Sequence, residues 1–204
     1  MITSNELKFA EKVILIDAAY INKVTNDLSS HFGQVIGRAL PKADLPVLLE
    51  CLSMDAGIQP GNHVIQVLFI YDKSLTKMDA FNPSDMKKEL NDVAFKSTLG
   101  EFQLNSFEPS DMANREEFYL ESVKLIADAK EVKQLMLVPS EEEYADKLPE
   151  ILKKVDGKES IHVFGMNPQV DVTNYQWDMI GYAILEALGV RPDEIKWYAN
   201  IFKD

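Results

Sequence analysis

The chain has 204 residues, 46% of them hydrophobic and 26% charged, and a formal net charge of −12 at pH 7. That length carries one substantial core without requiring a second domain, and no Pro-, Gly- or Ser-rich stretch marks a linker or a disordered tail. So acidic a surface repels polyanions, which disfavours RNA or DNA as a general partner but leaves room for a local metal-bearing site that cuts phosphate.

The opening Met-Ile-Thr-Ser-Asn-Glu-Leu-Lys lacks the basic-then-apolar order of a secretory signal, and the first apolar run is too short to span a bilayer. A cytoplasmic protein with no membrane segment is expected. The single cysteine, Cys51, sits among leucines and reads as a small core residue.

Val13-Ile14-Leu15-Ile16 is an unbroken apolar run ending at Asp17, the pattern of a strand buried on both faces. From Tyr20 to Phe32 the apolar residues recur at helical spacing, and residues 43–55 predict a second helix. Val64 to Tyr71 is the next buried strand. Ser84 is placed to cap a helix over 85–96, and Leu99-Gly100 then leads into an alternating strand from Glu101 to Phe107, nearer an edge. A helix over 116–130 precedes the strand Gln134 to Val138. Ser140 opens a helix running to Val155, and Ile161 to Phe164 is a fifth strand. Thr173 begins a last long helix ending at Leu188-Gly189, and Pro192 starts a short terminal element.

Strands alternating with helices predict a three-layer α/β/α sandwich on a mainly parallel sheet of about five strands. The whole of 1–204 reads as one domain, with 170–204 a C-terminal helical extension. Sites in such folds lie beyond the carboxyl ends of the strands, which directs attention to Asp17, to Tyr71 and Asp72, to Ser140 to Glu143 and to Gly165 to Pro168.

No Gly-x-Gly-x-x-Gly, Gly-Lys-Ser/Thr or Gly-x-Ser-x-Gly is present, so no nucleotide cofactor is expected. His31, His63 and His162 lack metal-ligand spacing and read as structural. What remains is acid at strand ends. Asp17 follows one apolar run and Glu141, Glu142 and Glu143 follow another; on neighbouring strands such carboxylates would supply the hard oxygen ligands that Mg²⁺ or Mn²⁺ takes. The same residues also suit capping: Asp17 at the start of a helix, and Ser140-x-x-Glu143 as a capping box.

In order, Val13 to Asn22 with its terminal Asp17, Val67 to Tyr71, Leu99-Gly100 with Phe102 to Leu104, Glu117 and Glu121, and Leu137 to Tyr144 resemble the NYN branch of the PIN-like nuclease superfamily. The resemblance covers roughly residues 12–166 and rests on the order of elements. It implies a metal-dependent ribonuclease in which Asp17, Glu117, Glu121, Glu141 and Glu143 are catalytic, with Asp17, Glu121, Glu141 and Glu143 holding Mg²⁺ or Mn²⁺ and Lys23 or Arg115 touching phosphate. A second class stays open beside it, a non-catalytic descendant acting as a protein-interaction or scaffolding domain. Its support is that every candidate acid except Asp17 is Glu where the family has Asp. Tyr175, Trp177, Tyr182, Trp197, Tyr198 and Phe202 would then meet a partner or a second copy of the chain.

Overall fold

The structure is a computed structural model that describes residues 8–110, 113–169 and 172–195. Its frame is a seven-stranded, mainly parallel sheet flanked by helices on both faces. Lys12–Asp17 forms β1, and Val13 to Asp17 are wholly buried, as expected of a strand covered on both sides. Its side chains alternate between two cores. Ile14 and Ile16 face one apolar cluster with Tyr20, Leu48 and Ile184, while Val13 and Leu15 face another with Tyr119, Val123 and Leu148.

The chain continues through α1 (Ala18–Ile36), β2 (Ala43–Asp44), α2 (Leu45–Asp55) and β3 (His63–Ile70). Then follow β4 (Phe81–Asn82), β5 (Val93–Ser97), β6 (Gly100–Phe107), α3 (Arg115–Asp128) and β7 (Gln134–Val138). A 3-10 turn at Ala145–Lys147 leads into α4 (Leu148–Leu152), β8 (Ser160–Gly165), β9 (Gln176–Met179) and α5 (Gly181–Ala187).

The sheet order is β5-β6-β3-β1-β7-β8-β9, with only β5 antiparallel to its neighbour; β2 and β4 pair separately. Counting the six parallel strands along the chain, the spatial order is 3-2-1-4-5-6. The chain builds to one side of β1 as far as β6, then resumes on the other side at β7. The space beyond the carboxyl ends of β1 and β7 is therefore the topological switch point, where open α/β sheets bind ligands.

Three segments differ from the sequence expectations. Residues 84–92 form turns instead of a helix: Asp85 Oδ1 accepts the backbone N–H groups of Lys87 and Lys88, and Asp92 adopts a positive φ of 56°. Val93 to Ser97 then pairs back on β6 as a strand. Ser140 does not open a continuous helix, because the chain turns through 141–144 and helical geometry is confined to the short pieces on either side of Leu148. Residues 176–179 join the sheet as β9, so the C-terminal part is not purely helical and the sheet exceeds five strands.

Gly100 starts β6 at φ 135°, where a Cβ would lie 2.2 Å from the carbonyl oxygen of His63. Only glycine allows that approach of β6 to β3. No helix among the described residues is long and apolar enough to cross a membrane.

Candidate functional site at the sheet switch point

Asp17 closes β1 and starts α1. Its Oδ1 accepts the backbone N–H of Tyr20 at 2.9 Å, so the carboxylate caps the helix. Its Oδ2 accepts the hydroxyl of Tyr144 at 2.5 Å and lies 3.1 Å from Nε of Arg115. A buried carboxylate at the end of an apolar strand is costly unless paired and hydrogen-bonded, and these contacts meet that requirement. Tyr144 is held in turn against Tyr119, ring centroids 5.2 Å apart, and the Tyr119 hydroxyl donates to the carbonyl of Leu15 at 3.1 Å.

Arg115 is the first residue of α3, behind the N-cap Asn114. Its side chain is only 12% exposed and its guanidinium spans three carboxylates. Nε faces Asp17, Nη1 lies 3.4 Å from Asp72 Oδ2, and Nη2 donates to both oxygens of Glu143. The acids come from three places: the end of β1, just past β3 and just past β7. A planar fork of donors carrying a permanent charge is suited to that bridging. A cleft of about 540 Å³ opens beside it, bordered by Asp72, Ser110, Asn114, Arg115 and Glu143.

Burial is the largest influence on Asp17 and pushes its carboxyl above the ordinary value; Arg115, Tyr144 and the Tyr20 N–H pull the other way. At Asp72 burial also pushes upward, but the hydroxyl and backbone N–H of Ser74, with Arg115, outweigh it and the carboxyl ends below its ordinary value. Burial disfavours the Arg115 charge, yet Glu143 and Asp17 more than compensate, so the guanidinium is held more firmly protonated.

The remaining acids expected at the site go elsewhere. Glu141 accepts the Tyr20 hydroxyl at 2.5 Å and the backbone N–H groups of Met166 and Asn167 at 2.7 and 3.0 Å, which ties the end of β7 to the end of β8. Glu142 pairs with Lys23 at 2.9 Å on the exposed surface. Glu117 is the partner of Asn114 in the capping box of α3, and Glu121 is exposed on the same helix. The Ser140-x-x-Glu143 capping box does not form: the carbonyl of Ser140 accepts from Tyr144 and Ala145, and Glu143 turns to Arg115.

The model of a family of unknown function, DUF6621, matches residues 6–195. The chain belongs to that family. No curated protein and no solved structure matches it.

In this DUF6621 chain the switch-point residues do not fit a divalent ion as they stand, because the Arg115 guanidinium fills the space between Asp17, Asp72 and Glu143. Among the described residues no three His, Cys, Asp or Glu side chains come together as a metal-holding group. Sequence reasoning placed Asp17 and Glu143 at one site and singled out Asp72 only by its strand-end position. It did not find Tyr144 as a donor to Asp17, and it read Arg115 as a contact for phosphate. The available signal for Asp72 was its place directly after an apolar strand, the same signal that marked Asp17.

The histidines of the DUF6621 chain take structural partners. His162, buried on β8, has Nδ1 2.6 Å from Asp178 on β9, His63 Nε2 lies 3.1 Å from the Gln59 carbonyl, and His31 stands edge-on to Phe32. Burial pushes the half-buried Cys51 thiol up to about 11, which keeps it protonated and inert at neutral pH. Of the aromatic residues considered for an interface, Tyr175 is buried, Trp177 is partly buried and Tyr182 is 69% exposed. Trp197, Tyr198 and Phe202 lie outside the described residues.

Proposed function

We propose that this chain is a non-catalytic α/β domain of the NYN/PIN-like kind, acting in the cytoplasm as a protein-interaction or scaffolding module. The observation that carries the reading is the Arg115 guanidinium lodged between Asp17, Asp72 and Glu143. Acids committed to an internal cation are not open to hold a metal and a substrate phosphate. The net charge of −12 adds to this by disfavouring RNA. Met179, 40% exposed, ends the edge strand β9, and Tyr182, 69% exposed, follows in α5; both are residue types favoured at protein interfaces.

The alternative is a Mg²⁺- or Mn²⁺-dependent ribonuclease, favoured by the position of Asp17 at the switch point; it requires Arg115 to leave its three partners. Incubating the purified chain and an Asp17→Asn variant with single-stranded RNA and Mn²⁺ separates the two. The proposal expects no cleavage by either protein. Cleavage by the wild type that disappears in Asp17→Asn would overturn it.

A further inference from the structure

Among the described residues the large hydrophobic side chains left open to solvent are Met54, 52% exposed, Val64, Met179 and Tyr182. Three of these four belong to neighbouring elements. Met54 lies in the last turn of α2 and Tyr182 in the first turn of α5, two helices that pack side by side. Met179 ends β9 and leans on the start of α5, where a Cβ at Gly181 would lie 3.9 Å from its Cγ. Along α5 every residue is buried except Tyr182 and Glu186, one helical turn apart, so the helix shows solvent a single stripe of one ring and one carboxylate.

The acids around these side chains have no cation of their own. Among the described residues Glu50 and Asp55 of α2 and Glu186 of α5 form no salt bridge, whereas elsewhere on the surface Glu142 pairs with Lys23, Glu194 with Arg38, Glu108 with Lys87 and Glu116 with Lys147. The Cys51 thiol, between them on α2, is pushed up first by burial and then by Glu186, Asp55 and Glu50. Burial likewise pushes the Asp55 carboxyl up, and Asp178 of β9 adds to it against the pull of His162. An apolar ridge flanked by uncompensated acid is complementary to a surface that brings both apolar anchors and positive charge.

We infer that the α2–α5 face, with Met54, Met179 and Tyr182 as its apolar contacts and Glu50, Asp55 and Glu186 as its charges, docks a protein partner that presents an amphipathic helix with Lys or Arg beside its apolar stripe. This rests on the non-catalytic reading above and names the kind of partner that reading leaves open. Two helices lying side by side offer a third helix a groove, and methionine adapts to the side chains laid against it. A second copy of the chain is the poorer occupant, because each copy brings a net charge of −12 and the same unpaired acids to the contact.

The probe is a fluorescent synthetic helix of roughly four turns built from leucine and lysine, with a counterpart carrying glutamate in place of lysine. By anisotropy the full chain binds the lysine peptide, more weakly as salt is added, and does not bind the glutamate peptide. Glu50→Lys/Glu186→Lys weakens binding at least about tenfold, and so does Met54→Ser/Tyr182→Ser. Asp128→Lys/Glu131→Lys, an equal change of charge at the end of α3 on the opposite face of the sheet, weakens it less than about threefold. Equal losses from the two charge reversals would reduce the effect to net charge and overturn the inference, as would no binding or equal binding of the glutamate peptide. A dimer in light scattering that Met54→Ser/Tyr182→Ser returns to monomer also overturns it, by giving the face to a second copy. Should the charge-reversed variant fail to melt cooperatively, the serine variant decides, and an unchanged affinity there sinks the inference. Each of these results leaves the functional reading standing; Asp17-dependent RNA cleavage by the wild type sinks that reading instead.

Discussion

The carboxylate of Glu141 rests against the backbone of Gly165, so close that a Cβ at 165 would lie 2.3 Å from Oε1. That contact lets Glu141 reach the N–H groups of Met166 and Asn167 beyond the end of β8. Gly165→Ala should therefore expel the carboxylate and leave two backbone donors without their partner. The expected loss is about 2–4 kcal/mol in urea unfolding. On a Glu141→Ala background the same change should cost much less, since the clash is gone; equal losses on both backgrounds would mean that the contact is not the cause.

Tyr144 and Tyr119 pack against each other at a tilt of 44° but donate to different acceptors, the Asp17 carboxylate and the Leu15 carbonyl. Hydrogen bonds to charged groups are worth more than those between neutral ones. Tyr144→Phe should cost about 1.5–3 kcal/mol and Tyr119→Phe about 1 kcal/mol. The Tyr144 hydroxyl lowers the Asp17 pKa, so its removal should move the Asp17 titration, followed by carboxyl NMR, further upward.

Arg115 and Asp17 are far less exposed than the Lys23–Glu142 pair. Asp17→Asn or Arg115→Met alone should cost about 3–5 kcal/mol, with a double variant well short of the sum. A parallel cycle on Lys23 and Glu142 should show no resolvable coupling, as is usual for solvent-exposed pairs. Comparable coupling in both cycles would contradict the buried, bridging role of Arg115.

Glu194 ties the C-terminal end of the described chain to Arg38 at 3.0 Å, through Nε of the guanidinium. That hydrogen bond, followed by the backbone N–H of Arg191, lowers the Glu194 carboxyl from 4.5 to about 2. A depressed folded-state value means that the stabilisation is fully present above pH 4.5 and is lost as pH falls towards 2. The Tm difference between wild type and Glu194→Gln should thus be constant from pH 5 to 7 and shrink between pH 4.5 and 2. A difference that grows on acidification would refute the assignment.

Long apolar runs were readable because burial on both faces leaves no other way to hide them: Val13 to Ile16, Val64 to Ile70, Gln134 to Val138 and Ile161 to Phe164 all lie in strands. Short segments were not, because their state is set by what they pair with. Val93 and Phe95 alternate with exposed residues and become a strand only by pairing with Leu104 and Phe102. Gln176 to Met179 likewise depends on β8. At the site, strand-end position was enough to flag Asp17, Asp72 and Glu143. What joins them is Arg115, whose partners are distant in sequence and approach only once β1, β3 and β7 lie side by side.

The most direct test of an arginine-filled switch point is a crystal structure of the wild type grown in Mn²⁺, with anomalous data collected at the manganese edge. The account predicts the Arg115 guanidinium between Asp17, Asp72 and Glu143 and no anomalous peak among them. A manganese peak on Asp17, with Arg115 swung out to solvent, would contradict it.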